Sequence, residues 1–206
     1  MDSRLVMEEE GAKTALSPAT GGARMTQALL LVDIQNDYFP GGKMQLVGME
    51  EAARNASLLL AMFRKKGLPV VHIRHISKRP GATFFLPNTE GADIHASVAP
   101  QPGEILIEKQ FPNGFRDTDL LAVLTKSEVD ELVICGAMSH MCIDATTRAA
   151  FDLGFRCTVI GNACATRDLE YKGIMLEASK VHAAFMAALA GVYATVVSAD
   201  EYTEMR

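Results

Sequence analysis

Three residues of reactive type stand at the ends of apolar runs in this sequence. Asp33 ends the run ALLLVD, Lys109 ends the run ILIEK, and Cys142 follows the run VDELVICGA in a short turn before a helical segment. A thiol, a carboxylate and an ammonium group are sufficient for covalent catalysis in which the thiol attacks a carbonyl carbon. The three residues therefore predict a cysteine nucleophile with two supporting groups, provided that the fold brings them together.

The role of each residue follows from acid–base chemistry. A thiol is only a few per cent ionised near neutral pH. A helix N-terminus and the Lys109 ammonium would both lower the pKa of Cys142. Asp33 would accept the thiol proton and later pass it to a leaving amine. Backbone N–H groups at the start of the helix, that of Cys142 among them, would stabilise the oxyanion. The predicted reaction is thioester formation followed by hydrolysis.

The runs that carry these residues alternate with helical patterns. Runs without polar alternation predict strands that are buried on both faces, and they span 28–33, 70–75, 105–109, 129–137, 155–161 and 193–197. Apolar residues at helical spacing predict helices over 50–66, 117–124, 142–153 and 172–190.

Strands that alternate with helices predict an α/β fold with three layers, in which a six-stranded parallel sheet has helices on both faces. Ligands bind beyond the carboxyl ends of the strands in such sheets. Asp33, Lys109 and Cys142 all fall at that edge. Their common placement predicts one active site more strongly than any of the three residues does alone.

Composition narrows the function classes. The chain has 206 residues, a formal net charge of −5 and no basic stripe, so we predict a small-molecule partner and no nucleic acid. No run reaches the length of a membrane span, and the start MDSRLVMEEE has acidic residues where a signal peptide is apolar. Four cysteines without a CxxC pair favour a reduced, cytoplasmic protein. Residues 1–27 are predicted to be a flexible leader, and 28–206 the folded domain.

Four blocks of the sequence resemble the isochorismatase-like cysteine hydrolase superfamily, and they occur in the order LLLVDIQNDYF, ILIEKQFPNGF, VICGAMSHMCIDATTRAAFDLGF and GNACATRDLE. The superfamily includes nicotinamidases, N-carbamoylsarcosine amidohydrolases, ureidoacrylate hydrolases and streptothricin hydrolases. The resemblance spans about 28–198. It implies a triad of Asp33, Lys109 and Cys142, a cis peptide before Met138, and an oxyanion hole made by the amides of Met138 and Cys142. It also implies a six-stranded parallel sheet of Rossmann-like topology and a homo-oligomer, either a dimer or a tetramer.

The sequence departs from the metal-dependent branch of this superfamily. Nicotinamidases carry a D-x-H motif and a further histidine, whereas the equivalent stretch here is HIRHISKRPG. His72 and His75 lie three apart along a strand, so they point to opposite faces, and we interpret both as ordinary strand or loop histidines. We therefore predict no metal and no cofactor.

Three functions compete, together with a fourth in which Cys142 is a redox sensor that is reversibly oxidised without substrate turnover. Members that cleave isochorismate often replace the cysteine with a small residue, so the presence of Cys142 favours hydrolysis of a C–N bond in an amide, carbamoyl or ureido compound. An isochorismatase-type vinyl ether hydrolase is the first alternative. A non-catalytic binding or assembly module is the second, and the intact triad argues against it.

Several residues near the triad are candidates for substrate binding. Tyr38 resembles the pocket aromatic of the family, or else packs under the following turn. Gln35 orients Asp33 or the substrate, or else is a loop amide. Asn113 and Phe115 follow Lys109 where the family lines its pocket, or else they pack in the interior.

His140, two residues before Cys142, contacts the substrate, a partner subunit or solvent. The long irregular segment 77–104 carries Phe84 and Phe85, which form either a lid or a subunit contact.

Overall fold

Eight strands occur in the computed structural model, which describes residues 26–205. They are β1 Thr26–Val32, β2 Val70–His75, β3 Ile105–Lys109, β4 Val129–Ala137, β5 Arg156–Ala165, β6 Leu169–Tyr171, β7 Ile174–Leu176 and β8 Thr195–Val197. Six of them form one sheet in the order β3-β2-β1-β4-β5-β8, and every neighbouring pair in it is parallel. The predicted six-stranded parallel sheet is therefore confirmed.

Five α-helices cover the two faces of this sheet, and they are α1 Met49–Lys66, α2 Leu120–Lys126, α3 Asp144–Asp152, α4 Ala178–Val192 and α5 Ala199–Glu204. Buried residues of α1 and α5 form one core with the sheet, and those of α2, α3 and α4 form the other. These two cores confirm the predicted three-layer α/β architecture. No helix among the described residues is long and apolar enough to cross a membrane.

The local sequence explains which face of helix α1 is buried and where the helix ends. Ala52, Ala56 and Phe63 recur at helical spacing and are buried against the sheet. Gly67 ends the helix in the left-handed conformation, with φ of 63°, and its amide donates to the Arg64 carbonyl. The chain then turns directly into β2.

The segment 169–176 differs from the prediction. Sequence periodicity predicts a helix over 172–190, but β6 and β7 form an antiparallel hairpin there, and α4 begins only at Ala178. Lys172 and Gly173 make the two-residue turn with φ of 51° and 81°, as a type I′ turn requires. Ile174, counted on the helix stripe, is instead exposed on the hairpin.

Two boundaries also shift, and one further helix occurs. Strand β1 begins at Thr26, two residues before the predicted domain start, and the rest of the predicted leader, 1–25, lies outside the described residues. A π-helical turn over Ser139–Ile143 precedes α3, so the regular helix starts two residues after Cys142. Helix α5 was not predicted; Ser198 and Glu201 form a capping box at its start.

One glycine allows β4 to reach the active-site edge. Gly136 has a φ of 125°, and a Cβ at this position would collide with the Val32 carbonyl of β1. The two central strands therefore approach closely just before the turn that carries Cys142.

Candidate active site

Lys109 connects the three side chains predicted to be catalytic. Its Nζ donates to Asp33 Oδ2 at 2.6 Å and to Cys142 Sγ at 3.2 Å. Asp33 and Lys109 are 0% and 1% exposed, and Cys142 is 5% exposed. The structure thus brings the predicted triad together in a buried cluster.

Strand ends supply two of these groups. Asp33 directly follows β1, and its amide donates to the Ile73 carbonyl of β2 at 2.8 Å. Its φ of 53° is in the left-handed region, which is uncommon outside glycine and typical of positions constrained by function. Lys109 is the last residue of β3, where it pairs in register with His75.

The third group lies in the turn between β4 and α3. The peptide bond between Ala137 and Met138 is cis. The amides of Met141 and Ile143 both donate to the Met138 carbonyl, at 3.0 and 3.2 Å, which closes the π-helical turn around Cys142. Met138 and Cys142 both face the same cavity.

Hydrogen bonds of the Ser139 side chain hold this turn in place. The Ser139 hydroxyl is fully buried, 2.8 Å from His182 Nδ1 of α4 and 3.3 Å from the Ala165 carbonyl. His182 falls on the apolar side of the helix predicted over 172–190, a position that is typical of a packed core histidine. The structure gives it a polar partner, which ties α4 to the residue that opens the turn.

Burial changes the expected ionisation of the nucleophile. Burial raises the pKa of the Cys142 thiol to about 12; Asp33 acts in the same direction, and Lys109 opposes both. The expectation of a lowered pKa fails because the thiol is desolvated and because α3 begins two residues later. In the resting site Cys142 is therefore a neutral thiol beside a charged pair.

The contacts between Lys109 and Asp33 explain how this pair stays charged although it is buried. Burial by itself would lower the pKa of Lys109, but the Asp33 carboxylate and Cys142 outweigh it, so the Lys109 pKa is raised. Lys109 remains an ammonium ion and compensates the buried Asp33 carboxylate. The remaining carboxylate oxygen, Asp33 Oδ1, is buried without a hydrogen-bond partner among the described residues. A free acceptor next to a neutral thiol is suited to take up the thiol proton.

His75 is a fourth member of the cluster that the sequence interpretation missed. Its Nδ1 lies 3.2 Å from Lys109 Nζ and its ring lines the cavity. Since an ammonium group only donates, Nδ1 accepts and the proton of the neutral ring is on Nε2. Burial lowers the pKa of His75, which favours this neutral form. His75 is the last residue of β2, so the strand-end rule that found Asp33 and Lys109 also applied to it.

A cavity of about 440 Å³ opens above this cluster, within the range of small-molecule sites. Tyr38 is buried in its wall, and its ring centroid is 4.5 Å from that of Phe85. Burial, together with Cys142 and Asp33, raises the pKa of Tyr38, so the phenol stays neutral. The other lining residues are His75, Ser77, Lys78, Arg79, Phe84, Gln110, Phe111, Pro112, Met138, Met141 and Cys142.

Gln35 does not line this cavity. Its Oε1 accepts from the His75 amide at 2.7 Å, and its Nε2 donates to the carbonyls of His75 and Ala92 at 2.9 and 2.7 Å. All its hydrogen-bonding groups are thus engaged with backbone. Gln35 fixes the end of β2, and so the position of the His75 ring, without facing the substrate space.

Asn113, Phe115 and His140 also lie outside the cavity lining. Asn113 accepts from the Phe115 amide at 2.9 Å, and Phe115 packs in the interior beside Phe155. His140 Nδ1 is 2.6 Å from the Thr166 hydroxyl. The segment after Lys109 lines the cavity through Gln110, Phe111 and Pro112 rather than through Asn113 and Phe115.

The only cluster of three potential metal ligands among residues 26–205 lies in this site. Ligand atoms of Asp33, His75 and Cys142 all lie within 4.8 Å of one another. Lys109 Nζ is 2.6, 3.2 and 3.2 Å from the same three side chains. The ammonium group therefore occupies the position that a cation would take, and it supplies the compensating charge itself.

Comparison with known proteins identifies the family. The isochorismatase domain family matches residues 27–201, so the chain belongs to the isochorismatase family and is a hydrolase of that family. The resemblance inferred from the sequence blocks is confirmed.

A crystal structure from Oleispira antarctica, assigned to the isochorismatase hydrolases, is 56% identical, with a TM-score of 0.84 over 87% of this chain and 97% of that one.

Among curated proteins, the uncharacterised family member YddQ of Bacillus subtilis is 53% identical over 86% of this chain and 99% of its own length. Streptothricin hydrolase of Streptomyces noursei is 40% identical over 69% of this chain and 51% of its own. Other relatives, at 27% to 32% identity, are named as amidohydrolases or as an amidase.

Proposed function

We propose that this protein hydrolyses a C–N bond of a small amide, carbamoyl or ureido compound through a thioester on Cys142. The observation that carries this proposal is the thiol at the cavity floor, hydrogen-bonded to a buried ammonium–carboxylate pair. A free thiol outside such a site is usually inert packing. Relatives named as amidohydrolases support the same bond type.

In the first half-reaction the Cys142 proton passes to Asp33 as Sγ attacks the substrate carbonyl carbon. The carbonyl oxygen becomes an oxyanion, which the amides of Met138 and Cys142 stabilise. Asp33 then returns the proton to the leaving nitrogen, the C–N bond breaks, and an amine or ammonia departs. Proton transfer coupled to attack avoids a free thiolate, in keeping with the raised pKa of Cys142.

In the second half-reaction water replaces the amine. As the water oxygen attacks the thioester carbon, Asp33 takes a proton from the water. The C–S bond then breaks, the proton returns to sulfur, and the acid product leaves. Lys109 stays protonated throughout and keeps the two exchanging groups in position.

The vinyl ether alternative does not need a covalent intermediate, so it gives the Cys142–Lys109–Asp33 contacts no specific task. A non-catalytic module would not need a buried charged pair, which is costly unless it is used or fully compensated. Both alternatives therefore explain less of the site than C–N hydrolysis does.

The decisive experiment is intact-mass spectrometry after brief incubation with a panel of primary amides, carbamoyl and ureido compounds, with ammonia measured in parallel. We expect an acyl adduct on Cys142 and released ammonia for at least one compound class. Cys142→Ala is the matched control, and it should fold normally and give neither signal.

Turnover that persists in Cys142→Ala would contradict the mechanism. Isochorismate cleavage without any adduct, in both wild type and variant, would instead support the vinyl ether alternative.

The proposal also includes a cellular compartment and an oligomeric state. All four cysteines are free and buried, which supports a reducing compartment such as the cytoplasm. The family resemblance supports a homo-oligomer, which light scattering coupled to size-exclusion chromatography would test.

A further inference from the structure

The mouth of the cavity is cationic. Lys78 and Arg79 line it side by side, at the start of the irregular segment that follows β2. Both are exposed, and neither side chain forms an ion pair or a hydrogen bond with another residue of the described chain. By contrast, the nearby Arg74 is paired with Glu108.

No acidic residue of the described chain is among those lining the cavity, although the whole protein carries a net charge of −5. The buried Asp33 carboxylate is compensated by Lys109. Burial is the main reason that the pKa of His75 is lowered, and the charges of Lys109 and Arg79 act in the same direction, so the Arg79 charge reaches the floor of the cavity. The uncompensated charge seen by a molecule entering the site is therefore positive.

The walls between mouth and floor are mostly apolar. Phe84, Phe85 and Phe111 supply aromatic surface, and Met138 and Met141 supply thioether side chains. Arg116 stacks on Phe111, 3.6 Å from the ring centroid, and holds that wall from outside. A ligand that suits this arrangement has a flat or apolar body and one anionic end.

We propose that Lys78 and Arg79 form an anion subsite and that the substrate is an amide or ureido compound bearing a carboxylate. This inference rests on the proposed function, because it assigns the substrate class of the same site. The carboxylate lies at the mouth, the apolar body against the aromatic wall, and the scissile carbonyl over Cys142. Cationic amides are disfavoured for the same reason.

The subsite is tested without knowing the substrate by alkylating Cys142 with iodoacetate and with iodoacetamide. Iodoacetate has a carboxylate where iodoacetamide has an amide, and the two reagents are otherwise identical. The ratio of their second-order rate constants, at one alkaline pH and low ionic strength, is divided by the same ratio for 2-mercaptoethanol, a thiol with no other charged group. We expect a normalised ratio above one in the wild type, decreasing as salt is added.

Lys78→Gln, Arg79→Gln and the double variant should lower this ratio, the double variant by roughly fivefold, the effect of about one unscreened charge contact in water. Lys126→Gln is the matched control, because Lys126 ends α2 at the opposite edge of the sheet. An unchanged ratio in the double variant would overturn the anion subsite. Alkylation by both reagents with no acyl adduct from any amide would instead count against the proposed hydrolysis.

A second measurement does not depend on thiol reactivity. Phthalate and phthalamide share one aromatic body and differ in charge, and each is added to wild type and double variant in thermal unfolding. We expect phthalate to raise the melting temperature of the wild type more than phthalamide does, and this difference to disappear in the double variant. Equal stabilisation by both probes in the wild type would contradict the proposal.

Discussion

At the residue scale, burial and charge act on Cys142 in opposite directions. Desolvation and Asp33 raise the thiol pKa to about 12, while Lys109 lowers it. The net result is a neutral thiol next to an acceptor, rather than a preformed thiolate. Reactivity toward a bound carbonyl and reactivity toward a small alkylating agent are therefore separate properties of this site.

Lys109→Met tests the role of the ammonium group. Lys109 is the one group that lowers the Cys142 pKa, so its removal should move the pH profile of iodoacetamide alkylation to higher pH. At a fixed pH below the Cys142 pKa, alkylation should be slower than in the wild type. Lys126→Met, at the exposed end of α2, is the control. A profile that coincides with that of the wild type would show that Lys109 does not tune the thiol.

His75 should act by accepting a hydrogen bond from Lys109. His75→Asn keeps an acceptor oxygen, and we expect it to retain more activity than His75→Leu, which should lose at least about tenfold in kcat, the value of one such hydrogen bond. Equal activity of the two variants on any substrate found in the amide panel would contradict this role. Circular dichroism of both variants controls for folding.

At the element scale, the segment between β2 and β3 is held at its far end by Glu104. Its carboxylate accepts from the Arg64 side chain of α1 at 2.7 and 2.8 Å and lies 2.9 Å from the buried His72 ring of β2. The bidentate Arg64 contact is the main reason that the pKa of Glu104 falls to about 2. One carboxylate thus joins helix, strand and loop.

Glu104→Gln should lower the free energy of unfolding by about 1 to 2 kcal/mol near neutral pH. A depressed carboxyl pKa stabilises the fold above the unfolded value of 4.5, and this contribution is lost as pH falls toward about 2. The deficit of the variant should therefore shrink on acidification. Urea unfolding across that range measures it.

Glu108→Gln is the matched control for this prediction, since Glu108 pairs with Arg74 on the exposed surface. A surface pair contributes 0 to about 1 kcal/mol. If the two variants lose the same stability, Glu104 does not have the anchoring role inferred here.

The same scale shows what sequence reasoning could and could not predict. Asp33, Lys109 and Cys142 were found because strand ends in a parallel sheet meet at one edge, whatever the loops do. Asn113 and Phe115 lie outside the cavity lining, which the sequence could not predict because spacing does not fix side-chain direction in an irregular segment. The helix predicted over 172–190 failed at its start because the turn formed by Lys172 and Gly173 outweighed an apolar periodicity that hairpin residues also satisfy.

At the scale of the whole molecule, the four cysteines are distributed over both cores: Cys135 lies in one, and Cys142, Cys157 and Cys164 lie in the other. Cys135, Cys157 and Cys164 are buried in the two cores, where burial raises the pKa of each. Cys142 is also buried but faces an open cavity. Its place at the cavity of about 440 Å³, beside Lys109, distinguishes it, since Cys164 borders only a smaller cavity of about 170 Å³.

Iodoacetamide at limiting concentration should therefore modify the native protein at Cys142 well before the other three cysteines. Four modifications should follow once the chain is unfolded in urea. Peptide mapping after timed quenching measures the order. Early modification of Cys135 or Cys157 in the native state would show that the cores open more readily than the structure implies.

The division of labour between sheet and loop has a consequence for engineering. The reacting groups come from the ends of β1, β2 and β3 and from the turn after β4, whereas Lys78, Arg79, Phe84 and Phe85 belong to one contiguous insertion. One part of the cavity wall, including the proposed anion subsite, therefore lies on a single segment between His75 and Glu104, and the rest of the wall lies outside it. Grafting the matching segment from a relative is expected to change which molecules enter the cavity while leaving the proposed catalytic cluster in place.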